Sequence, residues 1–479
     1  MKAVETPQSR CRVGISHCDV TPPVGIYHRM WGAAKHERAS GVHRPLVATV
    51  VWMEPEHGHP SQAVVMATLD HCLFDDSEIV LFRSAIAAAA DVAADQVLIC
   101  VSHTHAAGLM SRTRASLPGG ELIGPYLDDL SSKLADLAHK AAEASQPATI
   151  VYGTGRCNLA ANRDFFDVEG QQFVCGFNPD GPADDMLVVA KICADDGKPI
   201  GTIVNYACHA TTLAWRNTLI SPDYVGALRE TVERQTGAPC VFLQGASADL
   251  GPREGFVGDT AIADRNGRQL GYAALAAVES LPPAGTRYLY AGSVVSGATI
   301  GTWRHDAMAL LSRDGHAVWN VVRWNEALSY RQDLPTIAAA EAELASWSTQ
   351  EREATAAGQN EQAHVCHARV EQAQRQLWRL HSLPRPQFPL PVTVARFGEA
   401  IWVFVAGEHY QKLQTYLRSQ FPNQAVIVST ITNGWQPGYV PPAEMYGRGI
   451  YQEQIAVVAP GSAEQLLAAI SERIAMLLA

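Results

Sequence analysis

The sequence predicts an α/β fold, and three observations carry that reading. Apolar strand-like runs alternate with amphipathic helical stretches over most of the 479 residues. The composition, 47% hydrophobic and 18% charged, is that of a globular protein with ample material for a core. Several apolar runs end in polar residues set among small ones, which is how open α/β sheets build ligand sites beyond their strand ends.

In chain order the strand candidates are Leu46–Trp52, Ala63–Thr68, Val97–Val101, Thr149–Tyr152, Met186–Ile192, Gly201–Tyr206, Cys240–Leu243, Thr393–Phe397, Ile401–Val405 and Ala425–Thr430. Each is short, apolar and partly β-branched, as buried strands are. Periodic apolar positions predict helices over Ser77–Ala93, Ile123–Ser145, Val225–Gln235, Ile262–Ser280 and Ser462–Leu478. Residues 334–383 differ: two Ala/Glu/Gln/Arg-rich stretches flank Ala-Ala-Gly-Gln-Asn, which reads as a helical hairpin. Pro384, Pro386, Pro389 and Pro391 then terminate it. His364 and His367 on this hairpin lack a zincin glutamate and read as part of a solvated face.

Lys and Arg total 37 against 48 Asp and Glu, a formal charge of −11 with no basic block. A nucleic-acid partner is therefore not expected. The first residues contain no apolar h-region, and no run is long enough to span a bilayer, so no membrane anchor and a cytoplasmic address are expected. The ten cysteines form no C-x-x-C pair and read as reduced thiols.

The run Val97–Val101 ends in Ser-His-Thr-His, and strand parity would set His103 and His105 on one side. Two imidazoles together make a partial metal site or an acid/base pair. His209 follows the Ile203–Val204 run among small residues, although a hydrogen-bonded core histidine is equally ordinary there. Glu408 closes Ile401–Val405 after Gly407, and could instead favour the N-terminus of the helix that begins at Tyr410. Tyr439, in a Gly/Pro-punctuated loop, is a further candidate or a loop anchor. Two histidines, a carboxylate and a phenolate would suit Zn2+.

Collinear short motifs then add a family. Val-Gly-Ile-Ser-His-Cys-Asp-Val-Thr-Pro-Pro (13–23), Ser-His-Thr-His-Ala-Ala-Gly (102–108), Asn-Arg-Asp (162–164) and Asn-Tyr-Ala-Cys-His-Ala-Thr-Thr (205–212) come first. Ile-Ser-Pro-Asp-Tyr-Val-Gly-Ala (220–227), Val-Ala-Gly-Glu (405–408) and Thr-Asn-Gly-Trp-Gln-Pro-Gly-Tyr-Val (432–440) follow. Together they resemble the catalytic domain of the neutral, non-lysosomal ceramidases, which are zinc amidases. The resemblance implies mixed β-sheets flanked by helices in one large domain over 1–479, with the helical hairpin as an insertion. It implies that zinc is held by His103, His209, Glu408 and Tyr439. It places His105 beside the reacting carbonyl or its water, and Arg163 against the reacting group.

Two departures accompany it. Where the family carries a serine regarded as catalytic, this chain has Gly251, and Ser247 lies four residues earlier. No counterpart of the family's further β-domain is expected after the Ser462–Leu478 helix. Both argue against ceramide as the substrate. The chemistry expected is cleavage of an amide bond in a small or modestly amphiphilic substrate by metal-activated water, with His105 or Asp249 moving the proton. Alternatives are an ester or lactone hydrolase on the same site, or a metal-binding protein without activity. The partner expected is a small-molecule substrate, and a homo-oligomer is left open.

Overall fold

Alternation of buried side chains along the strands fixes the layers. Along Met186–Ala194, Val188, Ala190 and Ile192 enter one apolar core while Leu187 and Val189 enter another on the opposite face. The structure, a computed structural model, describes residues 2–308 and 314–479.

The main sheet has eight strands: β1 Gln8–Asp19, β2 Val47–Pro55, β3 Val64–Leu69, β4 Val97–Val101, β5 Gln146–Arg156, β6 Met186–Ala194, β7 Pro199–Tyr206 and β8 Cys240–Gln244. Their spatial order is β8-β7-β6-β5-β1-β2-β3-β4. The interior pairs are antiparallel, and each edge closes in a parallel pair, β3 with β4 and β7 with β8. Helices α1 (Asp76–Ala90) and α3 (Tyr224–Thr236) make the crossovers that parallel pairing requires. Helices α2 (Ile123–Glu143) and α4 (Thr260–Glu279) lie on the same face as these two.

A second sheet contains β9 Trp319–Leu328, β10 Phe388–Phe397, β11 Ala400–Val405 and β12 Ala425–Ser429, in that order. The hairpin helices α5 (Ile337–Ala356) and α6 (Asn360–Ser382) connect β9 to β10, and α7 (Lys412–Gln420) joins the parallel pair β11–β12. Phe397, Trp402 and Phe404 of this sheet meet Val13, Met53, Leu98 and Leu243 of the main sheet. Its other face is covered by α7 and the last helix, α8 (Ser462–Leu478). The result is four layers, helix–sheet–sheet–helix.

The differences from the expected elements have local causes. The twelve-residue β1, central in the main sheet, carries Arg, Ser and His among its apolar residues and so lacks the continuous apolar run of its neighbours. Pro389 and Pro391 do more than end the hairpin, because they lie inside β10. They fall in the half of β10 that pairs only with β9, before β11 joins at Val392, and an edge position tolerates proline. His364 and His367 are not simply solvated: His364 contacts the Ala33 carbonyl, and His367 pairs with Glu351 across the hairpin. Among the described residues all ten cysteines are free, and no helix is long and apolar enough to cross a membrane.

Candidate metal centre

Three parallel strand pairs end near one another, and each contributes to a single buried cluster. β4 stops at Val101, before the two histidines, so strand parity does not orient them. A turn does: His103 has φ +60°, and the His105 amide donates to the Ala210 carbonyl at 3.2 Å, tying this segment to the one carrying His209.

The rings are fixed from behind. His103 Nδ1 donates to the Cys72 carbonyl at 2.9 Å, and His209 Nδ1 donates to the Ser247 carbonyl at 2.7 Å. A carbonyl can only accept, so in the neutral rings each Nε2 carries a lone pair. Both lone pairs point at Glu408 Oε2, 3.5 Å from His103 and 3.0 Å from His209. A bare imidazole nitrogen and a carboxylate oxygen repel at that distance unless a positive charge lies with them, either a proton or a metal ion. His103, His209 and Glu408 are thus suited to metal coordination, with ligand atoms all within 4.8 Å of one another and all three residues buried.

Protonation follows the same logic. Burial opposes charge on His103, but Cys72 and Glu408 outweigh it and hold its pKa well above the ordinary histidine value. Burial and the Arg163 guanidinium push His209 down to about 4. Glu408 is buried, yet the two imidazoles hold it well below the usual carboxylate range.

Glu408 is positioned by a tight approach of two backbones. Gly407 has φ +78°, and a Cβ there would meet the Gly438 carbonyl at 3.0 Å and Pro437 Cδ at 3.1 Å. This contact allows Glu408 and Tyr439 to pair as neighbours in a short parallel bridge. Glu408 therefore turns to the histidines and not to the first turn of α7. The Tyr439 hydroxyl accepts from Arg163 Nη2 at 3.1 Å, and Arg163 Nε donates to the Ala248 carbonyl at 2.9 Å.

His105 occupies the open side. Its Nε2 is 3.4 Å from His103 Nε2, its ring stands nearly perpendicular to His103, and it is half-buried where the triad is enclosed. Burial and the charges of His103 and His209 hold its pKa well below the ordinary value.

Asp249 adjoins Arg163 through its backbone, its carbonyl accepting from the Arg163 amide at 3.0 Å, but its carboxylate is turned to Gln411. Its Oδ1 accepts from the Gln411 amide at 2.9 Å and its Oδ2 from Gln411 Nε2 at 2.7 Å, at the start of α7. Burial raises its pKa to about 6. Ser247 lies behind His209: its hydroxyl is 3.3 Å from Nδ1 and accepts from Gln244 Nε2 at 2.6 Å. A hydroxyl on the Nδ1 side does not face the Nε2–Glu408 centre. Gly251 borders Arg163 and Thr211, with 3.8 Å from a built Cβ to Thr211 Oγ1.

Cys72, whose carbonyl orients His103, was missed in the sequence. It follows β3 in Asp70-His71-Cys72, the same apolar-run-then-polar pattern that flagged the other residues. Gln452, which donates to Asp164 Oδ1 and the Ala248 carbonyl, carries no such signal. Trp31 and Trp215 lie near the site, in ring contact with each other. Trp319 stacks instead on Phe397 between the sheets, Trp324 borders the core under α8, and Trp303 lies on a β-ribbon.

No protein-family model matches the chain, and no curated protein matches its sequence. Solved structures are similar. A ceramidase complexed with C2 superposes with a TM-score of 0.63 at 15% identity, over 98% of this chain and 76% of that one. Neutral ceramidase from Pseudomonas aeruginosa gives 0.64 at 15% identity, over 99% and 75%. At that identity the likeness is one of fold: mixed β-sheets flanked by helices, as in these ceramidase structures.

Proposed function

We propose that this chain is a zinc-dependent hydrolase that cleaves the amide C–N bond of a small or modestly amphiphilic substrate, with water as the nucleophile. The observation that carries the reading is the convergence of two oriented imidazole Nε2 atoms on the buried Glu408 carboxylate, an arrangement that a bound metal ion or a proton would stabilise. Zinc suits this N/O donor set. His103, His209 and Glu408 would hold it, and Tyr439 would join as a fourth donor, its hydroxyl already turned to Arg163. Acidification of water and polarisation of a carbonyl oxygen are the chemistry that zinc supplies when bound. The neighbouring likeness in fold to ceramidases, which cleave amides, favours amide over other acyl substrates.

The chain's own groups divide the remaining work. Arg163 commits Nε and Nη2 to Ala248 and Tyr439 and keeps Nη1 for an oxygen of the substrate. His105, neutral at pH 7, accepts the proton of the attacking water at Nε2 and returns it to the leaving nitrogen. Asp249, engaged with Gln411, is a positioning residue that anchors the start of α7 three residues beyond Glu408.

Metal analysis with a panel of N-acyl amides tests the proposal. Glu408→Gln and His209→Ala should lose bound zinc, and amide hydrolysis should fall by more than the roughly 10–100-fold typical of removing a partner that only orients a ligand. A parent protein without stoichiometric metal, or variants as active as the parent, would overturn it.

A further inference from the structure

We infer that Trp31, Trp215 and Phe256 form a recognition surface for a flat apolar ring of the substrate, a phenyl group or its like, adjoining the bond that is cleaved. The inference rests on the hydrolase reading for the reaction but not for the binding.

Position comes first. His103, His209 and Glu408 are buried, and half-buried His105 is the approach from outside. Trp31 packs on His105 with ring centroids 5.2 Å apart. Trp215 and Phe256 then meet Trp31 edge-on, at 6.2 and 5.8 Å. All three rings are half-buried, and among the described residues none belongs to an apolar core of the fold. Aromatic rings gathered beside a reactive histidine without supporting the core have a surface left for a ligand.

Local construction points the same way. Phe256 has φ +57°, a conformation that a bulky side chain adopts only when its surroundings impose it. Backbone bonds impose it here: Phe256 and Val257 donate to the Thr211 and Thr212 carbonyls at 2.9 and 2.8 Å, just beyond His209. A strained backbone that delivers a ring to the lip of the site is a feature of function more than of folding. The Trp31 indole N–H is enclosed and has no protein acceptor, so a donor is also available beside the rings.

The inserted hairpin supplies the support. Arg375 of α6 donates to the Met30 carbonyl at 3.0 Å, and a Cβ on Gly32 would stand 3.2 Å from Ala368 Cβ. The same helix stacks Trp378 on Trp435 at 5.2 Å, against the loop that carries Tyr439. One helix therefore braces both the ring-bearing loop and the ligand-bearing loop. On the Trp31 loop Arg29 pairs with Glu37 at 2.6 Å and Arg38 with Glu121 at 3.0 Å.

Calorimetric titration of the full chain with phenylacetamide and with acetamide, in the presence of zinc, tests this. Phenylacetamide should bind, acetamide at least tenfold more weakly, and Trp31→Ala should remove most of that difference. Phe256→Gly should do the same while remaining folded, because glycine suits φ +57° and the thermal midpoint should hold or rise. No binding of phenylacetamide by the parent, or equal binding by parent and both variants, would overturn the inference. Ring-dependent binding without hydrolysis of any phenylacetyl amide would instead overturn the hydrolase reading alone. Equal kcat/KM for N-acetyl and N-phenylacetyl amides would overturn only this one.

Discussion

His71 offers a stability prediction whose size and sign both follow from its surroundings. The residue is fully buried against Phe74 and Tyr126. The Tyr126 hydroxyl donates to the Val20 carbonyl at 2.8 Å, so it accepts from His71 Nε2 at 2.5 Å. Nδ1 is left buried with no partner. Protonating it would create an N–H with no acceptor in an apolar setting, and burial holds the pKa down at about 3. A depressed folded-state pKa contributes stability that is present above the unfolded value of about 6.5 and is lost as the pH falls towards the folded one. At pH 5 the unfolded chain is protonated and the native ring is not. The loss is about 1.5 pH units at about 1.36 kcal/mol each, or about 2 kcal/mol. His71→Gln keeps a donor for Tyr126 and cannot titrate. Urea unfolding of parent and variant at pH 7.5 and 5.0 isolates the effect, because every other group cancels in the difference. Glutamine should cost stability at pH 7.5, and the parent's advantage should shrink by about 2 kcal/mol at pH 5.0. An advantage equal at both pH values would show that His71 is protonated in the native protein.

Other residues give shorter tests. Gly251 lacks the left-handed φ that would require glycine, and a Cβ there makes only ordinary contacts. Gly251→Ala should raise stability by about 0.4–1 kcal/mol through the unfolded state, read as a higher thermal midpoint. Gly251→Ser should leave amide hydrolysis essentially unchanged, since the proposed reaction needs no hydroxyl at this position; a large gain in kcat would refute the direct use of water. Arg163→Lys replaces a fork by a point charge and cannot hold Ala248 and Tyr439 together. Loss of one such charged hydrogen bond, about 1.5–3 kcal/mol, predicts roughly a tenfold or greater fall in kcat/KM with zinc content retained.

Much of the fold was legible because the buried strands are continuous apolar runs. Val97–Val101 and β11 were read within one residue of their observed ends, and the hairpin came from its helix-forming composition. β1 was not legible, since its burial depends on strands β2 and β5 on either side, which its own sequence does not reveal. The site was legible as types of residue but not as geometry. His103 and His105 do converge, yet through a left-handed turn and not through strand parity. Asp249 has the residue type of a proton carrier, but its carboxylate is oriented by Gln411, distant in sequence. The loop carrying Phe256 is legible as a loop, but nothing in Gly-Phe-Val announces its strained backbone.

The division of ligands between the two sheets has a thermodynamic consequence. His103 and His209 extend from β4 and β7 of the main sheet, whereas Glu408 and Tyr439 follow β11 and β12 of the second. The sheets already touch at this end: the Asn205 amide donates to the Leu243 and Val428 carbonyls at 3.0 and 2.8 Å, and Thr430 donates to Gln244 at 2.9 Å. A cation shared by the four side chains would add a link between sheets whose ligands lie about two to three hundred residues apart in sequence. Binding to the native state alone stabilises by RT ln(1 + [L]/Kd), about 2.7 kcal/mol at a hundredfold excess over Kd. Chelator should therefore lower the thermal midpoint of the parent, and zinc should restore it. Glu408→Gln removes the carboxylate that draws the two imidazoles together, so its midpoint should respond little to either addition. A parent midpoint indifferent to chelator and zinc would mean that the converging atoms hold a proton and no metal, and that Glu408 and the histidines form a buried ion pair bridging the sheets.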